Sequence, residues 1–306
     1  MPEPSTLHRL AEEIARSPAV VSLLKLALAE DIGPGDVTTR LTVPPEATAT
    51  AHLVVREDGV LCGLPLLAPI AALNGGAMSF DFRVEEASFV KKGAEVALVT
   101  GRAQDLLSVE RLLLNVLQRL SGIATATRRF VEAVRGKDCV ILETRKTVPG
   151  WRTLDKYAVR AGGGENHRMG LFDQVLAKEN HFAAAIRSGR AKDFAGVLDL
   201  LMRERPDGMV VEVEVETLDQ FRLALERDVP IVMLDDMSFG DIRQAVLERE
   251  IRRKATGKPG PLLEVSGGIT LATVRDYADC GIERISVGAL THSVKALDIA
   301  LKIRPA

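Results

Sequence analysis

From residue 138 onwards, short apolar runs alternate with longer amphipathic segments, and this alternation restricts the possible folds more than any other feature. The runs are "CVILETR", "QVLAKEN", "GMVVEVEVE", "PIVMLDD", "LLEVSGG" and "RISVG". Helical patterns lie between most of them: "HFAAAIRSGRAKDFAGVLDLLMRER", "TLDQFRLALERD", "FGDIRQAVLEREIRRKA", "TLATVRDYADCG" and, last, "HSVKALDIALKI". Repetition of this kind implies parallel strands joined by helical crossovers. Charged or small residues stand at almost every strand's C-terminal end. That favours a β/α barrel, where all such ends share one mouth, over an open doubly wound sheet, where one or two would be functional.

The first 120 residues have a different texture. "SPAVVSLLKLALAEDI" is an amphipathic helix, and "GPGDVTTRLTVPPEA" reads as a turn-rich connection. "TATAHLVVREDGVLCGL" and "MSFDFRVEEASFVKKGAEVALVTG" alternate like antiparallel strands. Within the second, "FVKKGAEVALVTG" is similar to half of a biotinyl or lipoyl carrier motif, but "VKKG" is more simply a turn between strands. "DLLSVERLLLNVLQRLSGIATATRRFVEAV" then carries apolar residues at three- and four-residue intervals, as a long helix does. The expected organisation is therefore an α/β domain over 1–120 and a β/α domain over 121–306, the last helix being free to pack back on the first.

The net charge of −2 gives no global basic field for nucleic acid or an anionic membrane surface. The longest nearly apolar run, "LPLLAPIAAL", is interrupted by two prolines and is far shorter than the roughly 20 residues of a membrane helix. The N-terminus lacks a signal peptide's apolar centre. Cys62, Cys139 and Cys280 have no metal-type spacing and read as buried small hydrophobes in a reducing compartment. The expected location is the cytoplasm.

In "VVEVEVE", Val211, Val213 and Val215 share one face and Glu212, Glu214 and Glu216 the other. Helices cover the outside of a barrel, so the glutamates point into the lumen or its mouth and need cations beside them. Arg145, Lys146 and Lys178, at neighbouring strand ends, are the expected partners. "LLEVSGGIT" and "RISVGALTHS" each run from a strand through glycine to a helix start, a pattern that brings backbone N–H groups to an anion. The segment 145–168 holds Arg145, Lys146, Arg152, Lys156, Arg160, His167 and Arg168 against Asp155 and Glu165. It reads as a cation-rich loop, with "GGG" letting it fold over a small polyanion. The basic stretch "REIRRKATGKPG" reads as a solvated loop.

Several stretches resemble the quinolinate phosphoribosyltransferases, also called carboxylating nicotinate-nucleotide pyrophosphorylases. They are "LAEDIGPGDVTT", "ERLLLNVLQRLSGIAT", "ETRKTVPGWRTLDKYAVRAGGGENHRMGLFDQVLAKENH", "VEVEVE", "IVMLDD", "VSGGI" and "SVGALTHSVKALDIALKI". The resemblance implies an N-terminal α/β sandwich domain and an incomplete β/α barrel of the type II phosphoribosyltransferase fold. It implies that quinolinate and phosphoribosyl pyrophosphate, with Mg2+, give nicotinate mononucleotide, pyrophosphate and carbon dioxide. By motif, Arg145, His167, Arg168 and Lys178 would gather the quinolinate carboxylates, with Thr147 beside them. Lys146 would bridge towards the phosphates. Arg111 would cross the interface of a homodimer or higher even assembly. Glu214 and Asp235 would lie near the ribose and the metal, and Ser266, Gly267, Gly268, Gly288, Ala289 and His292 at the phosphate end. Trp151, Glu165 and Asp236 depart from the family's usual residues.

Overall fold

The computed structural model of the chain describes residues 4–305. Its strands are β1 (Thr48–Val55), β2 (Gly59–Val60), β3 (Ser79–Phe82), β4 (Phe89–Val90), β5 (Glu95–Arg102), β6 (Val140–Leu142), β7 (Val175–Ala177), β8 (Val211–Val215), β9 (Ile231–Asp235), β10 (Leu262–Ser266), β11 (Arg284–Ser286) and β12 (Ile299–Pro305). Contacts divide the chain into two compact units. The first holds residues up to Arg128, Lys146–Gly164 and those from Ala289; the second holds Arg129–Arg145 and Glu165–Gly288. The first unit therefore runs past residue 120 to Arg128 and takes in two further segments.

In the first unit, an antiparallel sheet runs in the order β12-β1-β5-β3. Along β1 the alternate residues Ala49, Ala51, Leu53 and Val55 are buried, which supplies one apolar face. Leu106, Val109, Leu113, Val116, Leu117 and Leu120, on the helix Ala103–Ala133, belong to the same core. The buried Glu86 accepts hydrogen bonds from the N–H groups of Gly63 and Leu64, at 2.7 and 3.0 Å, where the helix Leu64–Leu73 begins. It also accepts one from the Tyr157 hydroxyl at 2.6 Å. Burial pushes its carboxyl up despite these bonds. Lys91, Lys92 and Gly93 form the turn between β4 and β5, as the plain reading of "VKKG" has it.

Three expectations are corrected here. "HSVKALDIALKI" is not a closing helix: Ile299–Pro305 is a strand, paired antiparallel with β1 so that Ile299 faces Val55. Ile299, Leu301 and Ile303 fit a two-residue period, and a partner strand some 250 residues earlier decides between the periods. The connection after "GPG" contains the helix Val37–Thr42, capped by Asp36, which accepts from the Thr39 N–H at 2.9 Å. The cation-rich segment after residue 145 contains the helix Arg152–Gly162, with Asp155 and Lys156 buried. Its glycines are for packing and stopping, not for mobility. A Cβ on Gly162 would lie 2.6 Å from the Ala124 carbonyl oxygen, and Gly163, at φ +93°, closes the helix.

Gly122 makes a still closer approach, since a Cβ there would stand 2.3 Å from the Lys295 carbonyl oxygen. Gly122→Ala should destabilise the protein by about 1–3 kcal/mol as overpacking does. An unchanged urea midpoint would show that the 295 segment moves aside without cost.

The second unit is a six-stranded parallel sheet in the order β6-β11-β10-β9-β8-β7. Successive strands from β7 to β11 are neighbours and β11 pairs with β6, so the ring lacks only a β6–β7 ladder among the described residues. That is an incomplete barrel. At its open seam the Glu165 N–H donates to the Ile141 carbonyl at 2.8 Å. The crossover expected as one helix after "KENH" is two, Glu179–Arg187 and Phe194–Glu204, separated at Gly189 with φ +73°. Most of "REIRRKATGKPG" is helical, within Phe239–Thr256. Arg249 is buried there and pairs with Glu283 at 2.6 Å, and Arg252 pairs with Asp228 at 2.9 Å. Those partners fix a stretch whose charge alone suggested a solvated loop.

Candidate active site

Because the second sheet is all parallel, the C-terminal ends of its strands share one rim. Sequence order therefore decides what stands there. Arg145 follows β6, Lys178 immediately follows β7, Glu214 lies near the end of β8, Asp235 ends β9, Ser266 ends β10, and Gly288 follows β11. Gly267 and Gly268 adopt φ +98° and +55°, left-handed values that glycine takes without strain. The Lys178 ammonium donates to Glu214, whose side chain is largely buried. Lys178 also begins the helix Glu179–Arg187, its N–H donating to His181 Nδ1 at 3.0 Å.

Beside these groups sits a cluster that the sequence reading found only in part. Glu143, Glu212 and Glu264 are each 0% exposed. His167 Nε2 lies 3.2 Å from Glu212 Oε2 and 3.4 Å from Glu264 Oε1. The His167 peptide N–H donates to Glu143 Oε1 at 3.1 Å. Glu264 also accepts from Arg284 Nε at 2.7 Å and from the Ser286 hydroxyl at 2.5 Å. The Gln174 amide donates to Glu212 Oε2 at 2.6 Å. Glu212 thus meets His167 and Gln174 on its side of the strand. Glu216 is exposed.

The charges in this cluster are uneven. Burial pushes the Glu212 carboxyl up, with the nearby Glu264 charge adding to it. Burial acts the same way on Glu264, but His167 and Arg284 outweigh it and hold that carboxyl down. Burial lowers the His167 pKa, and the two carboxylates more than offset this, raising it to about 9. Against a doubly protonated ring stands the Arg168 N–H, which donates to Nδ1 at 2.7 Å and so requires a lone pair there. One proton on Nε2 satisfies that bond and still gives the carboxylates a donor. His167, Glu212 and Glu264 bring ligand-type atoms within 4.8 Å of one another. With the proton on Nε2, however, the histidine has no lone pair to offer a metal between them.

Arg168 is the group whose needs the protein leaves open. Its Nη1 donates to the Gln174 carbonyl at 3.2 Å, while its buried Nε has no acceptor among the described residues. Burial and the charge of Arg145 both lower its pKa, so two guanidinium groups stand close enough to repel each other. An anion with flat, paired oxygens would give the Arg168 Nε an acceptor and offset the repulsion.

The remaining expected residues belong to the first unit. Lys146 lends its carbonyl to the Thr291 hydroxyl at 2.9 Å, and Thr147 Oγ1 accepts from Arg152 Nε at 3.2 Å. Ala289 and His292 are exposed in the short helix Ala289–His292. Arg111 is exposed in an open cleft of about 300 Å³ whose walls include Leu26, Glu30, Asn115 and Trp151. Trp151 thus lines the same cleft as Arg111, and the Arg119 guanidinium lies 5.6 Å from its ring. Asp236 stands beside the Gly267 turn, its Oδ1 3.0 Å from where a Cβ would be. Glu165 lines a pocket with Cys139, Val140, Leu262 and Glu283, at the N-terminal ends of β6, β10 and β11.

Glu143, Glu264, Arg284 and Ser286 were missed. Their signal was present, since "VILE" and "LLEV" each set an acid in an apolar strand, but only the repeated acids of "VEVEVE" stood out.

Comparison with known proteins covers nearly the whole chain. Residues 36–121 match the family model described as the N-terminal domain of quinolinate phosphoribosyl transferase, and residues 123–302 match its C-terminal domain. A decarboxylating quinolinate phosphoribosyltransferase of Nicotiana tabacum is 40% identical over 92% of this chain and 81% of its own length. The carboxylating nicotinate-nucleotide pyrophosphorylase of Mycobacterium leprae is 40% identical over 92% of this chain and 95% of its own. The solved structure of the nicotinate-nucleotide pyrophosphorylase from Francisella tularensis is similar with a TM-score of 0.83 and 35% identity, covering 95% of this chain and 99% of that one. Both domains, in order and at these identities, lead to one conclusion: the chain belongs to the quinolinate phosphoribosyltransferase family.

Proposed function

We propose that this protein transfers the phosphoribosyl group of phosphoribosyl pyrophosphate to quinolinate, releasing pyrophosphate and carbon dioxide and leaving nicotinate mononucleotide, a precursor of NAD. The observation that carries the reading is the pair Arg145 and Arg168, mutually repelling, with the Arg168 Nε buried and lacking an acceptor among the described residues. A dicarboxylate answers both needs. Lys178, at the same rim, adds a third cation. In this reading Lys146 reaches towards the phosphates, with Thr147 beside it. Ser266, Gly267, Gly268, Gly288, Ala289 and His292 hold the phosphate end, and Arg111 is lent across a homodimer or larger even assembly.

Glu214 and Asp235 are hard oxygen donors at the ends of adjacent strands, the type that suits Mg2+. They would hold it together with the substrate's own phosphates. Mg2+, when bound, neutralises charge on the pyrophosphate.

The chain's residues then act by position and charge. As the C1′–oxygen bond to pyrophosphate breaks, positive charge develops on the ribose, and the carboxylates of Glu214 and Asp235 stabilise it. Lys178, paired with Glu214, places a cation beside that acid at the rim. The pyridine nitrogen attacks C1′ with its own lone pair, so no general base is required. The ribosylated ring is cationic and accepts the electron pair released when the bond to the adjacent carboxylate breaks. Carbon dioxide leaves, and a proton takes its place on the ring carbon.

No helix among the described residues is long and apolar enough to cross a membrane. Three free cysteines, two of them buried, support a reducing compartment such as the cytoplasm. The deciding experiment incubates the purified protein with quinolinate, phosphoribosyl pyrophosphate and Mg2+. Nicotinate mononucleotide and carbon dioxide should appear in equal amounts. Binding of both substrates without carbon dioxide would point to a sensor, and failure to bind quinolinate would end the reading.

A further inference from the structure

Arg168 is held from both of its ends, and both restraints lead to one buried carboxylate. At the main chain, its N–H donates to His167 Nδ1 at 2.7 Å, and the other nitrogen of that ring lies 3.2 Å from Glu212 Oε2. At the guanidinium, Nη1 donates to the Gln174 carbonyl at 3.2 Å, and the side chain of the same glutamine donates to Glu212 Oε2 at 2.6 Å. Glu212 itself is fixed within β8, paired on both sides, and is 0% exposed. A rigid strand thus reaches both ends of an arginine that sits in a strandless segment.

Such an arrangement is more than a buried salt link requires. A charged side chain in an apolar strand costs stability, and apolar packing of the same volume is often as good or better for the fold. What the carboxylate provides is a fixed acceptor to which two otherwise independent contacts of Arg168 converge. An arginine fork is selective for a planar anion only when its orientation is set beforehand.

We propose that Glu212 is a positioning residue of the substrate site: it anchors His167 and Gln174, and through them fixes the main chain and the guanidinium of Arg168 for a planar dicarboxylate. The proposal rests on the assignment of Arg168 to the quinolinate carboxylates. Glu264, on the other side of His167 Nε2, and Glu143, at the His167 N–H, support the ring without contacting Gln174 in the same way.

The test is a double-mutant cycle on the full-length protein, with quinolinate and phosphoribosyl pyrophosphate affinities measured separately by calorimetry. Glu212→Leu should weaken quinolinate binding on the order of tenfold, equivalent to about 1.4 kcal/mol, and leave phosphoribosyl pyrophosphate binding within about twofold, well under 1 kcal/mol. In an Arg168→Ala background the same change should cost nothing further, because a residue that acts through Arg168 has nothing left to act on. Losses that multiply, or that fall equally on both substrates, would overturn the proposal. If Glu212→Leu does not fold, the wild-type protein still decides it: a through-hydrogen-bond coupling between the Arg168 amide nitrogen and His167 Nδ1 is expected by NMR, and its absence refutes the link. That coupling is independent of turnover, so a protein that shows it yet ignores quinolinate would refute the functional reading alone.

Discussion

Replacing Arg168 with alanine should reduce quinolinate affinity by a factor on the order of a hundred or more while the protein remains folded. The loss corresponds to about 3 kcal/mol, within the range for removing one member of a desolvated, hydrogen-bonded charge pair. The side chain is only half-buried and its loss leaves the strands untouched, so the circular dichroism spectrum and urea midpoint should stay close to wild type. Arg168→Lys should recover only part of the affinity, since an ammonium keeps the charge but lacks the fork. The effect should also fall on quinolinate and not on phosphoribosyl pyrophosphate. Unchanged quinolinate affinity in the alanine variant would remove Arg168 from the site and with it the observation on which the functional reading rests.

The parallel sheet was legible because its strands are buried on both faces. Runs such as "PIVML" have little choice but to be core strands when helical patterns flank them. The antiparallel unit was legible only where alternation was strong, as in β1. β12 was not: "KALDIALKI" satisfies a helical period as well as a strand's, and its pairing with β1 is a non-local fact that no window of sequence contains. The helix Arg152–Gly162 was obscured by its charges. Seven basic residues between 145 and 168 suggested a loop that folds over a polyanion, but Lys156 is buried and Asp155 meets Arg119 from another helix.

The site was legible where chemistry coincides with a strand end. Lys178, Asp235, Ser266 and the glycines after it could be placed from strand boundaries and parallel direction alone. His167 could not. As a cation in a basic segment it suggested direct carboxylate binding, yet its ring has one nitrogen towards the Arg168 N–H and the other between Glu212 and Glu264. The acids that surround it come from three different strands or strand ends, and only the closing of the sheet brings them to one histidine.

The largest effect on stability is expected at Arg119. This residue makes a two-pronged contact with Asp155, through Nε at 2.9 Å and Nη2 at 2.7 Å, and Asp155 is 0% exposed. Burial already pushes the Asp155 carboxyl up, and the guanidinium restrains that shift. Arg119→Met would fill much of the same space and leave the acid without its cation, a change that costs about 3–5 kcal/mol when a buried pair is broken. The cost should depend on pH with a definite sign. A carboxyl whose folded pKa lies above its unfolded value is best tolerated in acid and destabilises progressively as pH rises through the folded value. Urea midpoints for Arg119→Met should therefore fall furthest below wild type at neutral pH and approach it near pH 4, the ordinary carboxyl range. Adding Asp155→Asn removes the charge as well as its partner, and the double variant should regain much of the loss at neutral pH. A deficit for Arg119→Met that stays constant from acid to neutral pH, with no recovery in the double variant, would mean that the stacking of Arg119 on Trp151 is the contact that matters and the ion pair is not.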